Sequence, residues 1–190
     1  MKDDVVWAQF KNGSEEAFAL LYKQHAKLLY AYGIKLVKDR DLVEDCIHDL
    51  FMDLWRRKEF LSETDSIKLY LLKALKRKIL RVLSKNKKNQ DAAYSLSDDY
   101  TSQVEFSHES LLISAQLTSE QEEKLKQGID KLSHNQREII FLRFYARLSY
   151  EEIASMLAIN YQSVKNLMFR SMKSLRKEFV SLLVGFYFFL

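Results

Sequence analysis

Gln162, Ser163, Lys165, Asn166, Arg170 and Lys173 lie close together in the sequence, and their side chains are the kinds that read nucleic acid. Asn and Gln pair with adenine edges, Arg pairs with guanine and Lys meets phosphate. Each bidentate base contact is worth about 1–3 kcal/mol of discrimination. Val164, Leu167 and Met168 recur between them at helical spacing, so a helix turns these three inward and the polar set outward. Upstream, Ser149 and Glu152 have the spacing of a capping box for a preceding helix. In that helix Ile153, Ala154 and Leu157 face inward, and Ala154 is small enough for two helices to cross closely. Ala158, Ile159 and Asn160 make the turn, and Asn160 caps the second helix. Residues 149–177 therefore predict a helix-turn-helix with a base-reading second helix. A plain surface pair of amphipathic helices is the alternative; the cap, crossing residue, turn and outward polar set occurring together favour the reader.

Two more sets of charged residues precede this segment. Glu44, Asp45, Asp49 and Asp53 lie on one predicted helix with no base until Arg56. Like charges four residues apart repel by about 0.2–0.5 kcal/mol per pair. Glu44 and Asp45 regain something from the positive helix N-terminus, whereas Asp53 lies too far along to benefit. A basic protein partner accounts for this face, and a solvated surface is the plain alternative. A divalent metal at Asp45, His48 and Asp49 would lack further ligands. The segment from Ser66 to Gln90 is the opposite, with Lys68, Lys73, Lys76, Arg77, Lys78, Arg81, Lys85, Lys87 and Lys88 and no acid. Ile67, Leu71, Leu75, Ile79, Val82 and Leu83 keep helical spacing within it, so the helix is half core and half cation. Such a helix suits phosphate or lipid headgroups. The base-reading segment in the same chain, together with Phe60 and Tyr70 as stacking surfaces, favours nucleic acid; either aromatic alone also fits a core.

The elements that must position these residues are helices. The chain of 190 residues contains no proline and only four glycines, which leaves few of the turn residues that hairpins require and predicts an all-α fold. Its 47% hydrophobic content is enough for packed cores. A lone Cys46 rules out a disulfide framework and a thiolate zinc site, fits a reducing compartment and reads as an apolar filler. The N-terminus MKDDVVWAQF is acidic without a signal-peptide core, so a cytoplasmic location is expected. Asn12 with Glu15 is expected to cap a helix whose Phe18, Leu21, Tyr22, His25, Leu28, Leu29 and Tyr32 form a buried face, with His25 as a hydrogen-bonded core histidine. Asp41 with Glu44 is expected to cap the next, whose Val43, Ile47, Leu50, Phe51, Leu54 and Trp55 face the core. Residues 1–88 hold 19 basic and 13 acidic groups, residues 89–123 none and 8, and residues 124–190 11 and 5. Two basic lobes thus flank an acidic middle. These counts, with little helical periodicity in the middle until about Leu117, predict a domain at 1–88, a flexible acidic linker at 89–118 and a second domain at 119–190 ending in an apolar tail; the linker is either a solvated loop or a segment that enters or avoids a positively lined channel.

Residues 41–55, DLVEDCIHDLFMDLW, resemble the polymerase-binding helix of bacterial sigma factors of the extracytoplasmic-function (ECF) class. Ser66 to Lys85 resembles the promoter-melting helix of that family, and LSHNQREIIFLRFYARLSYEEIASMLAINYQSVKNLMFRSMKSLRK resembles its second domain. The resemblance implies a cytoplasmic specificity subunit that binds core RNA polymerase through its beta-prime and beta subunits, needs no cofactor and has no catalytic site. It implies that Glu44, Asp45, His48, Asp49, Phe51 and Asp53 belong to the surface that docks on the beta-prime coiled coil. The loop from Phe60 to Ser66 would capture a flipped base of the minus-ten element, while Lys68, Tyr70, Lys73, Lys76, Arg77 and Arg81 hold the opened strand. Gln162, Ser163, Lys165, Asn166, Arg170 and Lys173 would read the minus-thirty-five element. The acidic linker would thread toward the polymerase active site. An anti-sigma factor, often membrane-anchored in this family, would be a further partner and a natural acceptor for the apolar tail.

Three positions depart from the family pattern. His48 stands where glutamine is usual and Arg77 where asparagine is usual. Ala158 replaces the common turn glycine, which a turn without positive φ tolerates. Two other functions remain open to the same residues. One is a polymerase-independent helix-turn-helix regulator, against which the paired acidic and basic helices speak. The other is a membrane-surface protein, suggested by the tail FVSLLVGFYFFL at 179–190, which is well short of the roughly 20 residues that span a bilayer.

Overall fold

The computed structural model describes residues 3–90 and 127–187, with side chains over 3–85 and 127–176. All regular structure among them is helical. The chain divides into two compact units, Met1–Glu105 and Phe106–Leu190.

The first unit contains α1 (Asp3–Lys11), α2 (Glu15–Leu36), α3 (Arg40–Arg57), a 3-10 turn (Lys58–Phe60) and α4 (Ile67–Gln90). α2 packs against the other three helices, and α3 packs against α4. Leu21, Leu29, Tyr32 and Leu36 of α2 meet the apolar stripes of α3 and α4, in which Val43, Ile47, Leu50, Leu71, Leu75 and Ile79 are buried. Full burial of each such aliphatic side chain is worth about 1.5–3 kcal/mol. Leu72, which the sequence stripe omits, is buried as well, and Cys46 lies in the core, where burial pushes its thiol pKa up. α2 and α3 approach closely at Gly33, where an added Cβ would stand 2.5 Å from Val43 Cγ1.

α1 was not expected from the sequence. It is held by Val6, Trp7 and Phe10, all buried, and Phe10 joins a ring cluster with Trp7, Phe18 and Trp55. Its presence moves the cap of α2. The Asn12 amide donates to Ala8 O and closes α1, Gly13 turns the chain at φ +90°, and Ser14 caps α2 by accepting the Ala17 amide at 3.1 Å. Asn12 is thus the end of one helix instead of the start of the next. α3 likewise begins earlier than expected, because Asp39 and not Asp41 accepts the Leu42 amide at 3.0 Å. Tyr22 leaves the predicted core face; it is exposed, with its ring edge-on to Phe51 at 4.9 Å.

His25 is buried as predicted, but its Nε2 has no hydrogen-bond partner. Burial holds its pKa below the ordinary 6.5, and Asp3 opposes that shift only in part. The folded protein therefore binds a proton at His25 less readily than the unfolded chain does. Stability is complete above the unfolded value and declines as pH falls below 6.5 toward the lowered folded value. Replacing His25 with leucine removes this loss. Urea midpoints of wild type and His25→Leu should diverge between pH 7 and pH 5, with the variant gaining about 1 kcal/mol; parallel midpoints would show that His25 does not carry the acid sensitivity.

The second unit has a helical turn at residues 127–130, α5 (His134–Ile140), a π-helical turn (Phe141–Tyr145), α6 (Tyr150–Leu157) and α7 (Tyr161–Tyr187). α7 packs on α5 and α6 around Ile139, Phe141, Leu142, Ile153, Val164 and Met168. The predicted caps are present: Ser149 and Glu152 exchange both bonds of a capping box, and the Ser163 amide donates to Asn160 Oδ1 at 2.7 Å. Met156 joins Ile153 in the core, whereas Ala154 and Leu157 are half-buried. Residues 89 and 90 of the expected linker close α4, and the linker from 91 to 118 lies outside the described residues. The apolar tail from 179 continues the α7 backbone to Tyr187, and its side chains lie outside the described set.

The turn does not meet the condition under which alanine is tolerated without cost. Ala158 adopts φ 54°, ψ 39°, the left-handed conformation. A Cβ there costs about 1–2 kcal/mol, against which alanine recovers about 0.4–1 kcal/mol through a less flexible unfolded chain. Ala158→Gly should raise stability by about 0.5–1 kcal/mol. Denaturant midpoints measure it, and a lower midpoint would mean that the turn bears no strain.

Candidate nucleic-acid interface and acidic face

The outward row of α7 is built as its spacing requires. Gln162, Lys165, Asn166, Arg170 and Lys173 are exposed, and Ser163 is half-buried. Gln162 Nε2 donates to Asn166 Oδ1 at 3.1 Å, and the Lys165 ammonium lies 5.8 Å from the Tyr161 ring centroid, so neighbouring side chains pre-order the row. Phe169 stands in the same row, 68% exposed, and lines a shallow pocket with Asn166 and Arg170. Its apolar type sets it apart from the polar readers, yet its position one turn beyond Lys165 and Asn166 places it in their row. An apolar group among amides and cations suits a thymine methyl.

In the first unit, Phe60 is 85% exposed at the start of the loop that leads into α4. Ser66 is committed locally: its hydroxyl accepts the Leu69 amide at 3.3 Å and caps α4. Tyr70 is half-buried with its ring edge-on to Trp7 at 5.7 Å, so it offers less free surface than an open stacking platform. Arg77, Arg81 and Lys85 are exposed, while Lys68, Lys73, Lys76 and Lys78 are half-buried, laying alkyl stems on the helix bundle. An open cleft of about 620 Å³ between α3 and α4 is bordered by Asp49, Asp53, Arg57, Tyr70, Arg77 and Arg81. It brings the acidic and basic helices together along one edge.

The acidic face differs from its sequence description in two respects. Asp49 and Asp53 are not alone, because Lys78 reaches across from α4 to Asp53 Oδ2 at 2.7 Å and Asp49 Oδ2 at 3.6 Å. The hydrogen bond from Lys78 holds the Asp53 carboxyl below the usual carboxylate range, so its favourable contribution persists above that range and fades only in strong acid. Half-exposed, the contact is worth about 0–1 kcal/mol. Glu44, Asp45 and His48 face solvent. Phe51 does not: it is 3% exposed, edge-on to Phe18 and Tyr22, and supports the face from beneath. Among the described residues no group of His, Cys, Asp and Glu could hold a metal ion, and no helix is long and apolar enough to cross a membrane.

These two units match two regions of one family. The family model described as Sigma-70 region 2 matches residues 21–89, and that described as Sigma-70, region 4 matches residues 122–175. The chain belongs to the ECF sigma factors, which act with core RNA polymerase to initiate transcription and carry no catalytic site of their own. It is 23% identical over 172 residues to the ECF RNA polymerase sigma factor SigK of Mycobacterium ulcerans, spanning 88% of each chain. It is 26% identical over 166 residues to SigX of Bacillus subtilis, spanning 86% of this chain and 84% of that one. Among solved structures, CnrH in complex with the cytosolic domain of CnrY shares the fold at a TM-score of 0.60 and 16% identity, over 94% of this chain and 97% of that one. RpoE of Bartonella quintana, solved with the anti-sigma factor NepR, shares it at a TM-score of 0.56 and 21% identity, over 87% and 95%.

Proposed function

We propose that residues 1–88 dock on core polymerase and engage the minus-ten element, and that residues 119–190 read the minus-thirty-five element through a helix-turn-helix formed by α6 and α7. The supporting observation is the juxtaposition, within one unit, of an acidic face on α3 with a cationic face on α4, alongside the amide-and-cation row of α7 in the other. Glu44, Asp45, His48, Asp49 and Asp53 meet a basic surface of polymerase, with Phe51 holding them in place. Phe60 and the loop after it receive a flipped base, and Lys68, Lys73, Lys76, Arg77 and Arg81 neutralise the backbone of the opened strand. Gln162, Asn166, Phe169 and Arg170 enter the major groove, with Lys165 and Lys173 on phosphate.

Each lobe touches few base pairs, so binding to promoter DNA by the free chain is weak. Polymerase fixes the spacing between the lobes and turns two weak contacts into one intramolecular pair. An anti-sigma factor is a second partner, supported by the fold shared with RpoE, which was solved with one. Run-off transcription on fragments of the source genome, with bacterial core polymerase and with or without this protein, tests the proposal. Discrete new transcripts support it. Sequence-selective duplex binding with no polymerase-dependent transcript would indicate an independent regulator.

A further inference from the structure

α1 lies ahead of the region 2 match, which starts at residue 21, yet it holds the segment that leads from Phe60 into α4. Trp7 and Lys11 lie one turn apart and so share a face of α1. Trp7 Nε1 donates to the carbonyl of Ser62 at 3.2 Å, and Lys11 Nζ pairs with the neighbouring Glu63. The Trp7 ring, 1% exposed, also packs edge-on against Tyr70 at 5.7 Å. Residues 61–66 thus sit between an anchored Trp7 and the first turn of α4. Other bonds of this segment are short-range: the Leu61 amide to Lys58 O, the Ser66 amide to Thr64 Oγ1, and the Leu69 and Tyr70 amides to Ser66. The two links from α1 are long-range, spanning 55 and 52 residues of sequence.

We propose that Trp7 and Lys11 are positioning residues for promoter opening, fixing the 61–66 segment in the shape that accepts the unpaired base. This rests on the reading of that segment as the base-capturing loop. The ion pair is exposed on its Glu63 side and adds little stability, so what it supplies is geometry. A loop ordered in advance does not lose that freedom when the base arrives, whereas a loosened loop binds the same base less tightly.

The test uses the full chain assembled with core polymerase and a fluorescent single strand carrying the minus-ten sequence taken from its own run-off start sites. Trp7→Phe keeps a ring and removes the indole donor; Lys11→Met removes the ammonium and keeps the stem. Each should weaken the single strand by about three- to tenfold, with affinity for core polymerase unchanged and the difference absent on a strand that is abasic at the captured position. The exchange Lys11→Glu with Glu63→Lys should restore binding lost in Lys11→Glu alone. Phe60→Ala serves as the reference for the loop. If Phe60→Ala weakens the strand while Trp7→Phe and Lys11→Met leave it unchanged, the positioning role is overturned. If Phe60→Ala and both α1 variants all leave it unchanged, the base-capture reading falls first. If the α1 variants weaken normal and abasic strands equally, α1 supports the unit as a whole and the proposal is likewise overturned.

Discussion

Transcription directed by this protein should fall by at least about thirtyfold when Lys165 and Arg170 are both changed to alanine, the equivalent of losing about 2 kcal/mol of DNA contact. Both side chains are exposed on the outer row of α7, away from Val164 and Met168, which pack inward. Alanine favours the helix as well as lysine or arginine does, so thermal stability should be unchanged. The single variants separate the two roles. Arg170→Ala should relax sequence preference at one promoter position, as loss of a guanine contact does. Lys165→Ala should weaken all promoters alike and lower the salt dependence of binding by about one unit of slope. Wild-type transcript levels from the double variant would remove α7 as the reading helix.

The largest stability effect is expected at Gly33. Alanine normally strengthens a helix relative to glycine by about 1 kcal/mol. Here a Cβ would lie 2.5 Å from Cγ1 and 3.2 Å from Cγ2 of Val43, a fully buried and β-branched side chain that has no flexible end to swing away. α2 and α3 must then separate, and overpacking of this kind costs about 1–3 kcal/mol. Gly33→Ala should therefore lower the urea midpoint of the first unit despite the gain in helix propensity. Val43→Ala opens a cavity at the same place, so adding Gly33→Ala to it should cost little or even recover stability. Strict additivity of the two changes would show that the close approach is not what glycine is needed for.

The parts of the fold that depend on neighbours within one turn were legible in the sequence. The capping box of Ser149 and Glu152, the cap at Asn160 and the outward row of α7 are all patterns at spacings of three or four, and a helix realises them directly. α1 was not legible, because nine residues anchored by Val6, Trp7 and Phe10 are too short to display a period; their burial depends on Phe18, Trp55 and Tyr70 far along the chain. Asn12, Gly13 and Ser14 are three capping residue types in succession, and the positive φ of Gly13 gives the cap of α2 to Ser14 instead of the expected Asn12. Phe51 satisfied two patterns at once, a core stripe and a docking motif, and burial decides between them. Besides Arg56 one turn on, Asp53 meets Lys78, which is 25 residues away on another helix, beyond what any local spacing reports.

That partner has an electrical consequence. In the chain by itself, Lys78 spends its charge on Asp49 and Asp53, so the acidic edge of α3 is muted and the positive potential along α4 is reduced by the same contact. A basic surface that seats itself on those two carboxylates takes over the neutralising role, and the ammonium is returned to α4. The two faces would then behave as opposite plates of one capacitor: a partner that charges one from outside would uncover charge on the other, and affinity for polyanions should rise with occupancy of the acidic edge by about the worth of one exposed ion pair.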